Sequence, residues 1–91
     1  MILRKLTDDF LRVLGDAQKY RSVKSKLIGN EFEWVIYERA IMLQAVNAMR
    51  LQRGRSQIMV EEVRRVEAMA VGHVDYSRKF ALYCAHLVSG A

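Results

Sequence analysis

The sequence predicts an all-α fold of four helices, a long central helix wrapped by three amphipathic helices. Three observations carry that prediction. No proline occurs in 91 residues, and hydrophobic residues, 52% of the chain, recur at helical spacing. Four of the five glycines, Gly29, Gly54, Gly72 and Gly90, stand where that spacing breaks, as expected of C-terminal caps or of loops with positive φ. The third observation is the segment from Glu31 to Arg53, whose Phe32, Trp34, Val35, Ile41, Met42, Leu43, Val46 and Met49 occupy most of its circumference, the pattern of a buried helix.

The first helix is expected from Leu3 to Tyr20, with Leu3, Leu6, Phe10, Val13, Leu14 and Ala17 on one face and Gly15 inside it. Its opposite face carries Arg4, Asp8, Arg12 and Asp16, opposite charges four residues apart that support a solvated helix by about 0.2 to 0.5 kcal/mol per pair. Asn30 is placed as N-cap of the second helix, with Glu33 three residues on completing a capping box. After Arg53-Gly54-Arg55-Ser56 a short extended piece is expected around Gln57 and Ile58. The third helix then runs from Met59 to Val71 with Met59, Val63, Val66 and Ala70 inward. Asp75 is placed to cap a fourth helix that buries Tyr76, Phe80, Tyr83, Cys84 and Leu87 and exposes Arg78, Lys79 and His86.

Residues 1–91 make one domain, without an internal repeat or a low-complexity tract. A chain this size hides only about 60 to 65% of the surface that its unfolded form exposes, so self-association is expected to help it. A single cysteine, Cys84, cannot form an internal disulfide, and a reducing cytoplasm is the expected compartment. The opening residues lack an apolar signal region, and the uncharged run from Ala40 to Met49 is far below the roughly 18 residues that span a bilayer. Neither secretion nor membrane insertion is expected.

Charge is distributed less evenly than the net +5 suggests. Arg21, Lys24 and Lys26 lie in an acid-free stretch before the second helix, and Arg50, Arg53 and Arg55 lie in another at its end. The remainder holds nine basic and ten acidic residues, so the whole surplus sits in two connections. Clustered Lys and Arg in loops are the footprint of phosphate backbones. Basic residues near a helix C-terminus also complement its dipole, which would account for Arg50 and Arg53 without a ligand.

The order of a short helix, a basic loop, a long helix, a second basic loop with an extended Ile58 and a helix opened by Val60-Glu61-Glu62-Val63 resembles the histone fold from Thr7 to about Val71. In that family two chains clasp their long helices and paired loops grip DNA; Arg21, Lys24, Lys26, Arg53 and Arg55 would be the carriers here. This chain departs from the pattern at Met59, where a Thr or Ser cap is usual, and in its fourth helix. A second stretch, Arg64 to Cys84, reading RRVEAMAVGHVDYSRKFALYC, is similar to small helical proteins encoded by actinobacterial phages. That likeness implies a host-cell cytoplasm and no particular reaction.

Candidate chemistry is sparse. His73, Asp75 and Ser77 are residue types of a hydrolase triad, yet they crowd one turn without a nucleophile elbow. Cys84 and His86, two apart on a helix, point about 200° from one another and cannot chelate one ion. Glu67, His73 and Asp75 lack the CxxC or HExxH spacing of a metal site, and Asp8-Asp9 and Glu61-Glu62 suit helix first turns. No cofactor, metal or catalytic residue is expected. Glu38 and Arg39 conflict with their apolar helix; they either keep wet heads at its edges or pair across an interface. Glu33, Gln44 and Asn47 beside Ala40 and Ala48 mark a side left to water or to a second subunit, and Trp34 and Tyr37 near Asn30 form either a contact patch or core.

The expected function is that of a small non-enzymatic, self-associating binding protein that engages nucleic acid through Arg21, Lys24, Lys26, Arg50, Arg53 and Arg55. The alternative is a phage-type protein that binds and modulates a host protein. An enzyme or small-ligand sensor has no constellation to support it.

Overall fold

A computed structural model describes the backbone of residues 2–24 and 31–90 and the side chains of residues 3–20 and 35–90. It contains α1 (Ile2–Lys24), α2 (Glu31–Gln52), α3 (Val60–Ala70) and α4 (Tyr76–Ser89), and no strand among the described residues. The fold is all-α with four helices, as the periodicity predicts. Lys26, Gly29 and the Asn30 cap lie outside the described residues, as do the side chains of Arg21, Lys24, Phe32, Glu33 and Trp34.

Two of the four helices share the middle. α2 and α4 touch each other and both outer helices, whereas α1 and α3 do not meet. Leu6, Phe10 and Leu14 of α1, Met42 and Val46 of α2, Val63, Val66 and Ala70 of α3, and Phe80, Ala81, Cys84, Ala85 and Val88 of α4 form one core. The best-shielded helix is α4, with those five side chains at 0% exposure. Its small residues, Ala81 and Ala85, let neighbouring helices approach closely, and Phe80 fills the space between.

α2 therefore differs from the shielded axle of the sequence reading. It does touch three helices, but its fully buried face is Glu38, Met42 and Val46, while Ile36, Ala40, Gln44, Ala48 and Leu51 are exposed. The reason is geometric. Three neighbours cannot close a ring around a helix of their own diameter, and α3, 11 residues long, reaches only about 16 Å along an α2 of about 33 Å.

Boundaries shift for local reasons. α1 continues to Lys24 rather than ending at Tyr20, because cations suit the negative end of a helix; Arg21 and Lys24 are helical, not loop, residues. With 23 residues, α1 is one longer than the 22-residue α2. Met59 is not inward: it precedes α3 in extended backbone, makes no side-chain cap and is 71% exposed. Asp75 caps α4 as expected, its Oδ1 accepting from the Arg78 amide at 3.3 Å. Gly54 and Gly90 take positive φ, 69° and 76°, and Gly72 does not. On α4, Phe80 and Cys84 are buried, Arg78 is exposed, and Tyr76, Lys79, Tyr83, His86 and Leu87 are half-buried.

Truncating Phe80 to alanine leaves a void at the centre and should cost about 3–5 kcal/mol, read from urea unfolding. Val74→Ala, at a fully exposed turn position, should stay within about 0.5 kcal/mol.

Candidate interaction surface

The end of α2 is held by side chains that satisfy backbone groups far away in sequence. Asn47 donates from Nδ2 to the Ile58 carbonyl at 3.1 Å and accepts at Oδ1 from the Ile58 amide at 2.8 Å. It thereby gives the extended segment before α3 the two hydrogen bonds that a neighbouring strand would supply. Arg50 donates from Nε to the Ser56 carbonyl at 2.7 Å and from Nη1 to the Leu87 carbonyl. Arg55 donates to the Val88 carbonyl at 3.0 Å.

Leu87 and Val88 belong to the last turn of α4, where carbonyls have no partner within the helix. The Gly90 amide bonds back to the His86 carbonyl at 2.8 Å, and the two guanidiniums take the next two. Gly90 takes a left-handed φ that side chains rarely adopt, and a Cβ there would push the mobile Arg55 guanidinium aside.

Of the six basic residues singled out as an anion site, Arg50 and Arg55 thus serve the end of α4. Arg53 is exposed and donates to the Met49 carbonyl one turn back at 3.3 Å. Arg21 and Lys24 lie in the last turns of α1, and Lys26 lies outside the described residues. Arg53 thus complements the end of its own helix, as its place near that C-terminus predicts, whereas Arg50 complements α4, and the second residue engaged there is Arg55.

The charged pair in the apolar helix resolves toward burial. Arg39 is not a wet edge residue: its Nη2 lies 2.8 Å and its Nε 3.3 Å from Oε1 of Glu67 on α3, whose side chain is 7% exposed. Glu38 is 4% exposed. Both carboxylates act on Tyr76, which stacks at a tilt 5.8 Å from Phe80; burial first, and then Glu67 and Glu38, push its phenol well above the usual range. A buried ion pair is tolerated when paired and hydrogen-bonded, and it fixes the register of α3 on α2.

The other candidate groups have structural partners or positions. Glu67 is buried while His73 and Asp75 are exposed, and among the described residues no group of three ligating side chains is placed to hold a metal ion. Cys84 is fully buried, and desolvation pushes its thiol up to about 12, away from nucleophilic chemistry. Asp9 pairs with Arg12 at 2.6 Å, and Glu62 with Arg65 at 2.8 Å, on solvated faces. Among the described residues, no helix is long and apolar enough to cross a membrane.

What remains is the open side of α2. Of the strip expected from Glu33, Gln44 and Asn47 beside Ala40 and Ala48, the structure leaves Ala40, Gln44 and Ala48 exposed, whereas Asn47 is half-buried against Ile58 and the Glu33 side chain lies outside the described residues. Ile36 and Leu51, 48% and 55% exposed, extend it and were missed. The spacing of Ile36, Ala40, Gln44 and Ala48, four residues apart, could have found the first. Between this side and α3 runs a groove of about 590 Å³ lined by Ile36, Ala40, Leu43, Gln44 and Val60, with Arg39 and Arg64 at its rim. Nearby on α2, Tyr37 is half-buried and stacked on Tyr20 of α1 with ring centroids 5.6 Å apart.

No protein-family model matches the chain, and no curated protein or solved structure matches it significantly.

Removing Arg39 alone strands Glu67 and should cost about 3–5 kcal/mol, whereas the double replacement Arg39→Met with Glu67→Leu should recover most of it in chemical denaturation. The Cys84 shift has a defined sign. The native thiol holds its proton above the ordinary 9.0, where the unfolded thiol loses it, so this contribution to stability is complete below pH 9.0 and declines as pH rises toward about 12. A plot of unfolding free energy from pH 8 to 11 should fall, and fall less steeply in Cys84→Ala.

Proposed function

We propose that this chain is a non-enzymatic binding protein whose working surface is the open side of α2. The observation that carries the reading is that a helix of nearly all-round apolar composition leaves Ile36 and Leu51 half exposed. Ala40, Gln44 and Ala48 lie open between them. A helix whose outward face needs only water is polar there, and this one is not. Contiguous apolar surface with a polar rim marks protein contact, and a neighbouring helix is the shape that lies along it. On this reading it is a phage-type protein that works in the cytoplasm, supported by the likeness of residues 64–84 and by the lone, buried Cys84.

Nucleic acid is the second reading, favoured by the gathering of the surplus positive charge around both ends of α2 and by the exposed Arg53. Because Arg50 and Arg55 already serve carbonyls of α4, the exposed Arg53 is the residue whose change tests this affinity without disturbing the end of α4.

A photo-crosslinking residue at position 44 should join the chain to a protein in actinobacterial cells, one at position 12 should not, and Ala48→Arg should abolish the adduct. Equal labelling at both positions, or none, overturns the reading. If four phosphates are neutralised, the logarithm of affinity for duplex DNA should fall with that of salt at a slope of about −3.6. Arg53→Glu should weaken binding with helicity unchanged, and salt-independent affinity removes the nucleic-acid reading.

A further inference from the structure

The geometry points to a second copy of this chain as the occupant of the open side of α2, lying antiparallel with the twofold axis at Gln44. This rests on the reading of that side as the working surface and names its partner. Projected at 100° per residue, Gln44 sits at the middle of the open arc. On either side of it stand the exposed Ala40 and Ala48, four residues away, and at seven the exposed Leu51 and the half-buried Tyr37, one face of whose ring stacks on Tyr20.

The order is the same read in either direction: a small residue at four, a large apolar or aromatic one at seven. Seven-residue spacing of this kind is the seam of a helix pair that crosses at a shallow angle. A twofold through Gln44 sets each Ala40 against the other chain's Ala48, allowing the axes to approach. It also sets each Tyr37 against the other chain's Leu51, so that the bulk lies at the ends.

Self-complementarity of this order is what an isologous contact requires and what a foreign helix has no need of. The seam holds no formal charge, so no like charges meet across the axis. A carboxamide both donates and accepts, so Gln44 can bond its own twin. At the flank, Glu61 and Arg64 line the rim on α3 without an ion pair among the described residues, and a twofold offers opposite charges to both.

Sedimentation of the full chain over a concentration series should show a reversible dimer. Gln44→Glu, which places two carboxylates at the axis, should weaken it at least tenfold at neutral pH while circular dichroism stays unchanged. Register is read separately. Under mild oxidation Gln44→Cys should form an interchain disulfide. Ile36→Cys should not, because twins eight residues from the axis are separated by about 24 Å and a disulfide needs Cα atoms within about 7 Å. A chain that stays monomeric throughout, a dimer indifferent to Gln44→Glu, or crosslinking at position 36 instead of 44 overturns the inference. A monomer that is nevertheless crosslinked from position 44 to a different protein overturns the second copy and leaves the open-side reading standing.

Discussion

The backbone groups left over where α2 turns into α3, and where α4 ends, are the constraint on which the rest of this structure depends. Both sets are met by three side chains from a stretch of nine residues, Asn47, Arg50 and Arg55. Remove them and the amide and carbonyl of Ile58 and the carbonyls of Leu87 and Val88 need new partners in a partly buried setting, which is costly. Because these bonds join the end of α2 to the end of α4, the two middle helices are tied at one end of the molecule and α3 is launched from a fixed point. The Val63, Val66 and Ala70 face can then meet α4.

The second tie lies at the other end of the α2–α3 contact and is electrostatic. Glu67 is nearly withdrawn from water and Arg39, 21% exposed, is half-buried over it, and the pair adds little stability over apolar residues of the same volume. What it joins is one position on each helix: a shift of α3 along α2 would separate the guanidinium from the carboxylate and leave the buried Glu67 unpaired. Apolar packing alone discriminates such shifts weakly, since Val63 and Val66 fit many positions on a surface of Met42 and Val46.

These two ties bear on function by deciding which conspicuous residues remain available. Arginines that look like ligands for phosphate in the sequence are partly occupied inside the fold, which narrows the charge free for nucleic acid. The apolar residues that look like core are partly outside it, which enlarges the surface free for protein. Both observations support the proposed role of α2 as a contact surface over the nucleic-acid reading.

Much of the fold is legible in the residues themselves, because it rests on short-range chemistry. Helical spacing, the Asp75 cap and the left-handed glycines at 54 and 90 depend on neighbours within a turn or two, and the core residues Phe10, Leu14, Val66, Phe80 and Cys84 are marked by their place on the apolar face of their own helix. Tertiary structure alone decided what depended on distant partners. Arg50 and Arg55 meet carbonyls 37 and 33 residues away, and Arg39 meets Glu67 at 28, separations over which one sequence carries no pairing signal. It also decided which arc of α2 is covered. A helix apolar on nearly every side presents no direction of its own, so the choice of buried and open face falls to where three neighbouring helices have room to lie.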